Sequence, residues 1–277
     1  MSLPDGLFAR PAVARIDNYL TGDVENYEAD RILASRLVRE APWLPDMVKI
    51  NRRHGSRAVT VLAGDLGIRQ YLDLGCGLPT SWNKRLQRYD PASTYEAAVA
   101  AGTRADTRVV YVDNDPMVHA HARMMLDVCS STKVVLADIR EIGELLNNPA
   151  VQALDDRQPT AVLLHDVLPW IGDESAEMTM AALREWLPDG SAISVTHATT
   201  DRAPDAMRAL VGHYAEAGIT YRPRTLEQIR ELLAPWATLP PGAVPTAQWR
   251  AGSSRSISTG GNPGAYAAIA TPTGSSP

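Results

Sequence analysis

The sequence predicts a doubly wound α/β fold: a mostly parallel sheet with helices on both faces and a helical layer ahead of it. Three observations carry this. Short apolar runs, Gln70–Leu74, Val109–Val112, Lys133–Ala137, Ala161–Leu164 and Ala192–Thr196, alternate with helical patterns. The runs are apolar nearly throughout, as strands covered on both faces require. The first run also ends in a glycine turn, Q-Y-L-D-L-G-C-G-L-P-T at Gln70–Thr80, where Gly75 tolerates positive φ and Gly77 lets a ligand approach the backbone.

Residues 1–67 read as a helical cap and 68–277 as the sheet domain. Pro11–Leu20 spaces Val13, Ile16 and Leu20 on one helix face. Asp30–Glu40 repeats the pattern with Ile32, Leu33, Leu37 and Val38, and the prolines at 42 and 45 interrupt it. A third helix is expected over Asp46–Ala63, stopped by Gly64; its Asn51-Arg52-Arg53 is a solvated face or a lid over the glycine turn.

After the turn, a helix is expected over Ser81–Tyr89. Asp90–Thr107 reads as an insertion with a short helix at Glu96–Ala101. The second strand ends in Asp113-Asn114-Asp115, with Asp115 as N-cap and Pro116 opening a helix to Val128. Asp138 closes the third strand, H-D-V-L-P-W follows the fourth, and His197 ends the fifth; the patterns Glu141–Asn147, Glu174–Leu187, Pro204–Ala217 and Thr225–Leu233 supply helices. Trp236–Leu239 and Ala265–Ala270 suit a final edge hairpin around a Pro-, Gly- and Ser-rich segment, with 271–277 frayed.

Composition narrows the function. The chain has 277 residues, 45% hydrophobic and 21% charged, so it can bury one large core. A net charge of -5 gives no basic bias towards nucleic acid or anionic membrane. No run of about 18 apolar residues suggests a membrane span. Two cysteines and no signal-peptide pattern make the cytoplasm the expected location.

Three strands finish with a carboxylate near one edge: Asp73, Asp113 and Asp138. Capping accounts readily for Asp115 and is open for Asp138, but it does not explain three strand ends together. An acidic residue after the second strand can accept both hydroxyls of a ribose. The nucleotide is a dinucleotide or S-adenosylmethionine. Thr80 stands where a dinucleotide turn carries its third glycine, and no Arg or Lys flanks the turn to meet a pyrophosphate, which favours a zwitterionic methionine tail.

Taken together, A-R-I-D-N-Y-L-T-G at Ala14, N-Y-E-A-D-R at Asn26, N-R-R at Asn51, Y-L-D-L-G-C-G-L-P-T at Tyr71, V-V-Y-V-D-N-D-P at Val109, A-D-I-R at Ala137, P-G-A-V-P at Pro241 and Y-A-A-I-A at Tyr266 resemble a known family. It is the class I S-adenosylmethionine-dependent methyltransferases, and within them a family long filed as a domain of unknown function. The resemblance implies a Rossmann-like, seven-stranded sheet with its last strand antiparallel. It implies S-adenosylmethionine as cofactor, with S-adenosylhomocysteine as product. Gly75 and Gly77, with Asp73 and Cys76, would line the methionine part; Asp113 and Asn114 would hold the ribose; Asp138 and Ile139 would flank the adenine. His165 and Asp166 would face the methyl group, and Tyr19, Asn51 and Arg52 would close over the pocket. Two features depart from the pattern. Gly75 and Asp113 lie 38 positions apart, against about 20 in the related nucleotide fold, and S-W-N-K-R after Thr80 lacks the histidine the resemblance leads one to expect.

Methyl transfer asks the protein to align a nucleophile and exclude water, with a base only for an alcohol, phenol or protonated amine. His165, Asp166 and His197 are the candidates. His119 and His121, two apart on a helix, do not share a face, and no metal is expected. The favoured reading is a methyltransferase acting on a small molecule. A non-catalytic S-adenosylmethionine-binding or regulatory protein, and a nicotinamide-dependent oxidoreductase, remain as alternatives.

Overall fold

The computed structural model describes residues 8–80, 82–83, 88–89, 92–103, 106–234, 236–250 and 264–272. Three helices come first: α1 (Val13–Thr21), α2 (Glu28–Glu40) and α3 (Leu44–Gly64). Pro45 sits in the first turn of α3, where its missing N–H costs nothing, so the predicted break is a helix start. Then follow β1 (Gln70–Leu74), the short pair β2 (Trp82–Asn83) and β3 (Arg88–Tyr89), and α4 (Thr94–Ala98). Next come β4 (Arg108–Asp113), α5 (Pro116–Met125), β5 (Thr132–Leu136), α6 (Ile142–Leu146), α7 (Pro149–Gln152) and β6 (Thr160–His165). The chain continues through α8 (Asp173–Trp186), β7 (Ala192–Ala198), α9 (Pro204–Glu216), α10 (Leu226–Leu233), β8 (Trp236–Thr238), β9 (Val244–Pro245) and β10 (Ala265–Pro272).

The main sheet has the order β5-β4-β1-β6-β7-β10-β8, with β9 also on β10. β5 to β7 are mutually parallel, and β10 runs antiparallel to β7, β8 and β9. The expected tail hairpin is therefore real, but its second strand lies inside the sheet and its first at the edge. From β1 the chain winds outward to β4 and β5, then returns to β6 on the other side. That reversal opens a crevice between the carboxyl ends of β1 and β6, where ligands of this architecture bind.

Alternate strand residues serve opposite faces. Leu72, Val110, Val162 and Ile193 pack with α6, α8 and α10; Tyr71, Val109, Ala161 and Ala192 pack with α3 and α4. A third cluster joins α1 and α2 to α9. One buried group ties this cap to the sheet. Arg15 Nε donates to Asp30 Oδ2 (2.8 Å), and its Nη1 lies 3.6 Å from Asp115 Oδ2, at the N-cap of α5.

Two expectations need correcting. The helix predicted over Ser81–Tyr89 is replaced, in its described residues, by an antiparallel pairing of Trp82 with Tyr89 and Asn83 with Arg88. Aromatic residues favour strands, and the Ser93 capping box delays the helix to Thr94. Thr271 and Pro272, expected in a frayed tail, extend β10 opposite Ala237 and Trp236. The Pro-, Gly- and Ser-rich segment at 251–263 lies outside the described residues.

Candidate active site

The glycine turn is built by two left-handed residues, Gly75 (φ +64°) and Gly77 (φ +66°). It brings the Cys76 amide to the Val112 carbonyl of β4 (3.0 Å) and the Gly77 amide to Asp113 Oδ2 (3.0 Å). A Cβ on Gly75 would stand 2.6 Å from Val167 Cγ2, so the loop after β6 closes directly on the turn. Asp113 Oδ1 accepts the Asp115 amide (3.0 Å). A carboxylate has about four acceptor positions, and backbone amides fill some of them. Burial pushes the Asp113 pKa up to about 6, against backbone hydrogen bonds from Asp115, Gly77 and Asn114.

Asp138 is held differently. It caps a 3₁₀ turn at Ile139–Glu141, and its Oδ1 accepts the Arg140 amide (2.9 Å) and Nε (3.0 Å) while Asn114 donates to Oδ2 (3.1 Å). The Arg140 guanidinium holds its pKa down, to about 2. The capping reading of Asp138 and its place beside Asn114 therefore hold together. Asp113, Asn114, Asp138, Ile139 and the two glycines line one cleft of about 390 Å³.

A second chamber of about 210 Å³ opens between the turn, α3 and α4, lined by Asn51, Arg52, Asp73 and Cys76. The insertion thus has a structural role. It packs α4 on α3 and sends the Thr94 hydroxyl to Asp73 Oδ2 (2.6 Å). Burial pushes Asp73 up to about 6 and raises the Cys76 thiol. Arg52 Nη2 donates to the Leu78 carbonyl. Asn51 is 4% exposed, and among the described residues neither its amide nitrogen nor its oxygen has a partner.

Asp17, His165 and Asp166 line both cavities and mark where they join. Asp166 takes φ +60°, a strained conformation that Asp tolerates better than most residues. Its amide donates to the Thr196 carbonyl (3.0 Å), and its buried Oδ1 has no partner among the described residues. Burial, and then the charge of Asp17, push its pKa up to about 8. Asp17, on α1, is raised to about 6 by burial against the attraction of Arg52. His165 Nε2 shares a hydrogen bond with Ser194 Oγ (2.9 Å), and burial lowers its pKa to about 4, so the ring is neutral at pH 7. Gly55 lets α3 lie against that ring, since a Cβ there would be 3.2 Å from Nδ1.

The loop carrying these groups is clamped from behind. Arg224, buried, donates Nη1 to the Leu168 carbonyl (3.0 Å) and Nη2 to the Ile171 carbonyl (3.4 Å), and pairs with Asp173 (2.8 Å). His197 belongs to this clamp. It is buried inside β7 rather than past its end, with Nδ1 2.7 Å from the Ala198 carbonyl and Nε2 2.9 Å from Arg224 Nη1, and it lines neither cavity. Burial lowers its pKa to about 3. As a candidate base it is corrected to a buried structural partner, because β7 runs two residues further than the apolar run suggested. Tyr19 is 37% exposed and lines neither cavity.

Sequence reasoning missed Asp17, Thr94 and Val167. For Asp17 a signal existed: it falls on the stripe formed by Val13, Ile16 and Leu20, a carboxylate on the apolar face of a helix.

A switch-point crevice with a glycine turn on β1 and a buried carboxylate on the next strand is the arrangement in which α/β proteins of this architecture bind nucleotides. The chain matches the family model of the S-adenosyl methyltransferases over residues 8–273, and it belongs to that family. It is similar to a candidate methyltransferase from Thermobifida fusca YX, with 34% identity, 97% of this chain and 98% of that one covered, and a TM-score of 0.85. It is also similar to a DUF574 family protein from Streptomyces avermitilis MA-4680, with 29% identity, 96% and 98% covered, and a TM-score of 0.87. No curated protein matches it. The protein is an S-adenosylmethionine-dependent methyltransferase of the Rossmann-like fold. No helix among the described residues is long and apolar enough to cross a membrane.

Proposed function

We propose that this methyltransferase acts on a small-molecule acceptor and binds S-adenosylmethionine across the carboxyl ends of β5, β4 and β1. One observation supports the placement above the others. Asp113, fixed by backbone amides including those of Gly77 and Asp115, keeps acceptor capacity for a ribose hydroxyl beside a turn built on left-handed glycines. The residues fit the group along its whole length. Ile139 and the Asn114–Asp138 pair flank the adenine, and Asp113 takes the ribose. Gly75, Cys76 and Gly77 lie under the methionine part with Asp73 near its ammonium, while Asn51 and Arg52 close over its carboxylate. Tyr19 belongs to the cap, residues 1–67, that covers residues 68–277. When bound, the cofactor supplies an electrophilic methyl on a sulfonium together with its own leaving group.

The chain's residues do the rest. The Arg224 clamp fixes the loop after β6, so that Asp166 and His165 stand at the junction of the two cavities. His165, neutral and hydrogen-bonded to Ser194, shapes the wall. Asp166 is the group placed to hold or accept a proton from the acceptor. The unpaired cysteines, Cys76 and Cys129, support a reducing, cytoplasmic setting, and the net charge of -5 supports a small acceptor over a nucleic acid.

Calorimetric titration with S-adenosylmethionine, S-adenosylhomocysteine and NAD tests the reading. Micromolar binding of the first two without NAD is expected. Binding of NAD alone would overturn it. Binding of the first two, with no transfer to any acceptor class, would favour a regulatory protein.

A further inference from the structure

The junction of the two cavities is lined by carboxyl groups. Asp17, Asp73, Asp166 and Glu96 line the chamber with one guanidinium, Arg52, and Glu96 is already bonded to Ser93. Asp17 and Asp166 meet where the two cavities join, close enough for the charge of one to act on the other. The same chamber contains the buried amide of Asn51, whose donor and acceptor have no partner among the described residues. Buried polar groups are almost always bonded, so this amide points to a ligand with polar atoms. Its nitrogen suits the donor's carboxylate, which leaves its oxygen for a second donor group. On the cleft side the junction faces Trp170, stacked on Tyr221 (4.5 Å) and edge-on to Tyr214 (5.1 Å). An aromatic wall beside two carboxylates is the chemistry that holds an ammonium.

Building on the reading above, we propose that the acceptor is a primary or secondary amine, its ammonium held by Asp17, Asp166 and the Asn51 oxygen and its apolar body lying on Trp170 between Ile171 and Ile219. Asp166 is then the catalytic base. The ammonium gives one proton to the Asp166 carboxylate. The freed lone pair forms the N–C bond as the C–S bond breaks, and that electron pair stays on the sulfur, which leaves as the neutral thioether. The product is the methylated ammonium, and the proton on Asp166 goes to water. The raised pKa of Asp166 suits a group that is neutral alone and ionises beside a cation. The groups facing it are Asp17, His165, Tyr214 and Tyr221, with Arg52 acting on Asp17.

The test is calorimetric and uses the intact protein saturated with S-adenosylhomocysteine, so that binding is read without turnover. Phenethylamine, tryptamine and hexylamine are titrated beside 2-phenylethanol, tryptophol and 1-hexanol. At least one amine is expected to bind tenfold or more tightly than its alcohol. Asp166→Asn and Asp17→Asn are expected to lower that amine's affinity at least tenfold while changing S-adenosylhomocysteine affinity less than threefold. Both variants replace a buried carboxyl by an amide of the same shape, and an unchanged or raised Tm confirms that they fold. Equal binding of amines and alcohols, or no binding of any amine, would overturn the proposal while the cofactor reading stands. Loss of S-adenosylhomocysteine affinity in the variants with amine binding unchanged would assign the carboxylates to the cofactor and overturn it too. Failure of S-adenosylhomocysteine to bind the wild-type protein would sink the underlying reading itself.

Discussion

The two ends of this crevice treat their carboxylates in opposite ways. At the nucleoside end, Asp113 and Asp138 are bonded before any ligand arrives, by the Gly77 and Asp115 amides and by Arg140 and Asn114. At the junction, Asp17 and Asp166 face each other, and Asp166 Oδ1 and the Asn51 amide have no partner among the described residues. The first end is a finished template whose side chains are held in place by the fold. The second is incomplete in polar terms without a ligand. The fold fixes the carboxylates at one end and, among the described residues, leaves polar atoms without a partner at the other.

Substitutions at the two ends should differ in sign as well as size. The largest effect is expected from Asp113→Ala, which removes both the diol acceptor and the anchor of the glycine turn. Hydrogen bonds to a charged group contribute about 1.5–3 kcal/mol each, so S-adenosylhomocysteine affinity should fall about a hundredfold or more in calorimetry while the far-ultraviolet circular dichroism persists. Unchanged affinity would remove the ribose assignment.

Next comes Gly75→Ala. The added Cβ meets Val167 Cγ2 and must also hold a left-handed backbone. Cofactor affinity should drop at least tenfold, and Val167→Ala in the same chain should recover part of it. No recovery would mean that backbone strain, not the contact, closes the turn.

Asp166→Asn tests the opposite sign. In the unfolded chain this carboxyl ionises near 3.8, and in the fold near 8. Between those values the folded protein keeps a proton that the unfolded chain has released, so stability falls as pH rises through the range. The buried His54, His165 and His197, whose pKa values are lowered, act in the other direction, but only below about pH 6.5. From pH 6.5 to 8.5 the Tm of the wild-type protein is therefore expected to fall, and that of Asp166→Asn to fall less. Parallel curves would show that Asp166 already has a partner. The smallest effect belongs to Asp138→Asn. Arg140 is exposed and the pair is half in water, so the loss should stay within about threefold in cofactor affinity.

Much of this was legible in the sequence. The strand runs, the glycine turn and the carboxylates behind Asp113 and Asp138 were readable because each obeys a local rule: apolar continuity, positive φ, capping. Asp73 was readable as a residue, but its Thr94 partner was not, since that bond crosses an insertion with no fixed spacing. His197 misled because an apolar count cannot tell the last residue of a strand from the first of a loop. Asp17 was hidden by its own helix: the periodicity that predicts α1 treats a polar residue on the apolar face as noise. The Ser81–Tyr89 helix failed because neighbouring aromatic residues fit a hairpin as well as a helix, and only the capping box at Ser93 decides between them.

Arg15 has a consequence for how the molecule comes apart. A cap held only by apolar contacts could peel from the sheet by degrees, each step exposing a little surface. Here separation of the cap from the sheet would pull the guanidinium, which stays on Asp30, away from Asp115 at the N-cap of α5. Cap and sheet should melt in one transition, and the N-terminal helices should resist proteases for as long as the strand carrying Asp113 stays folded.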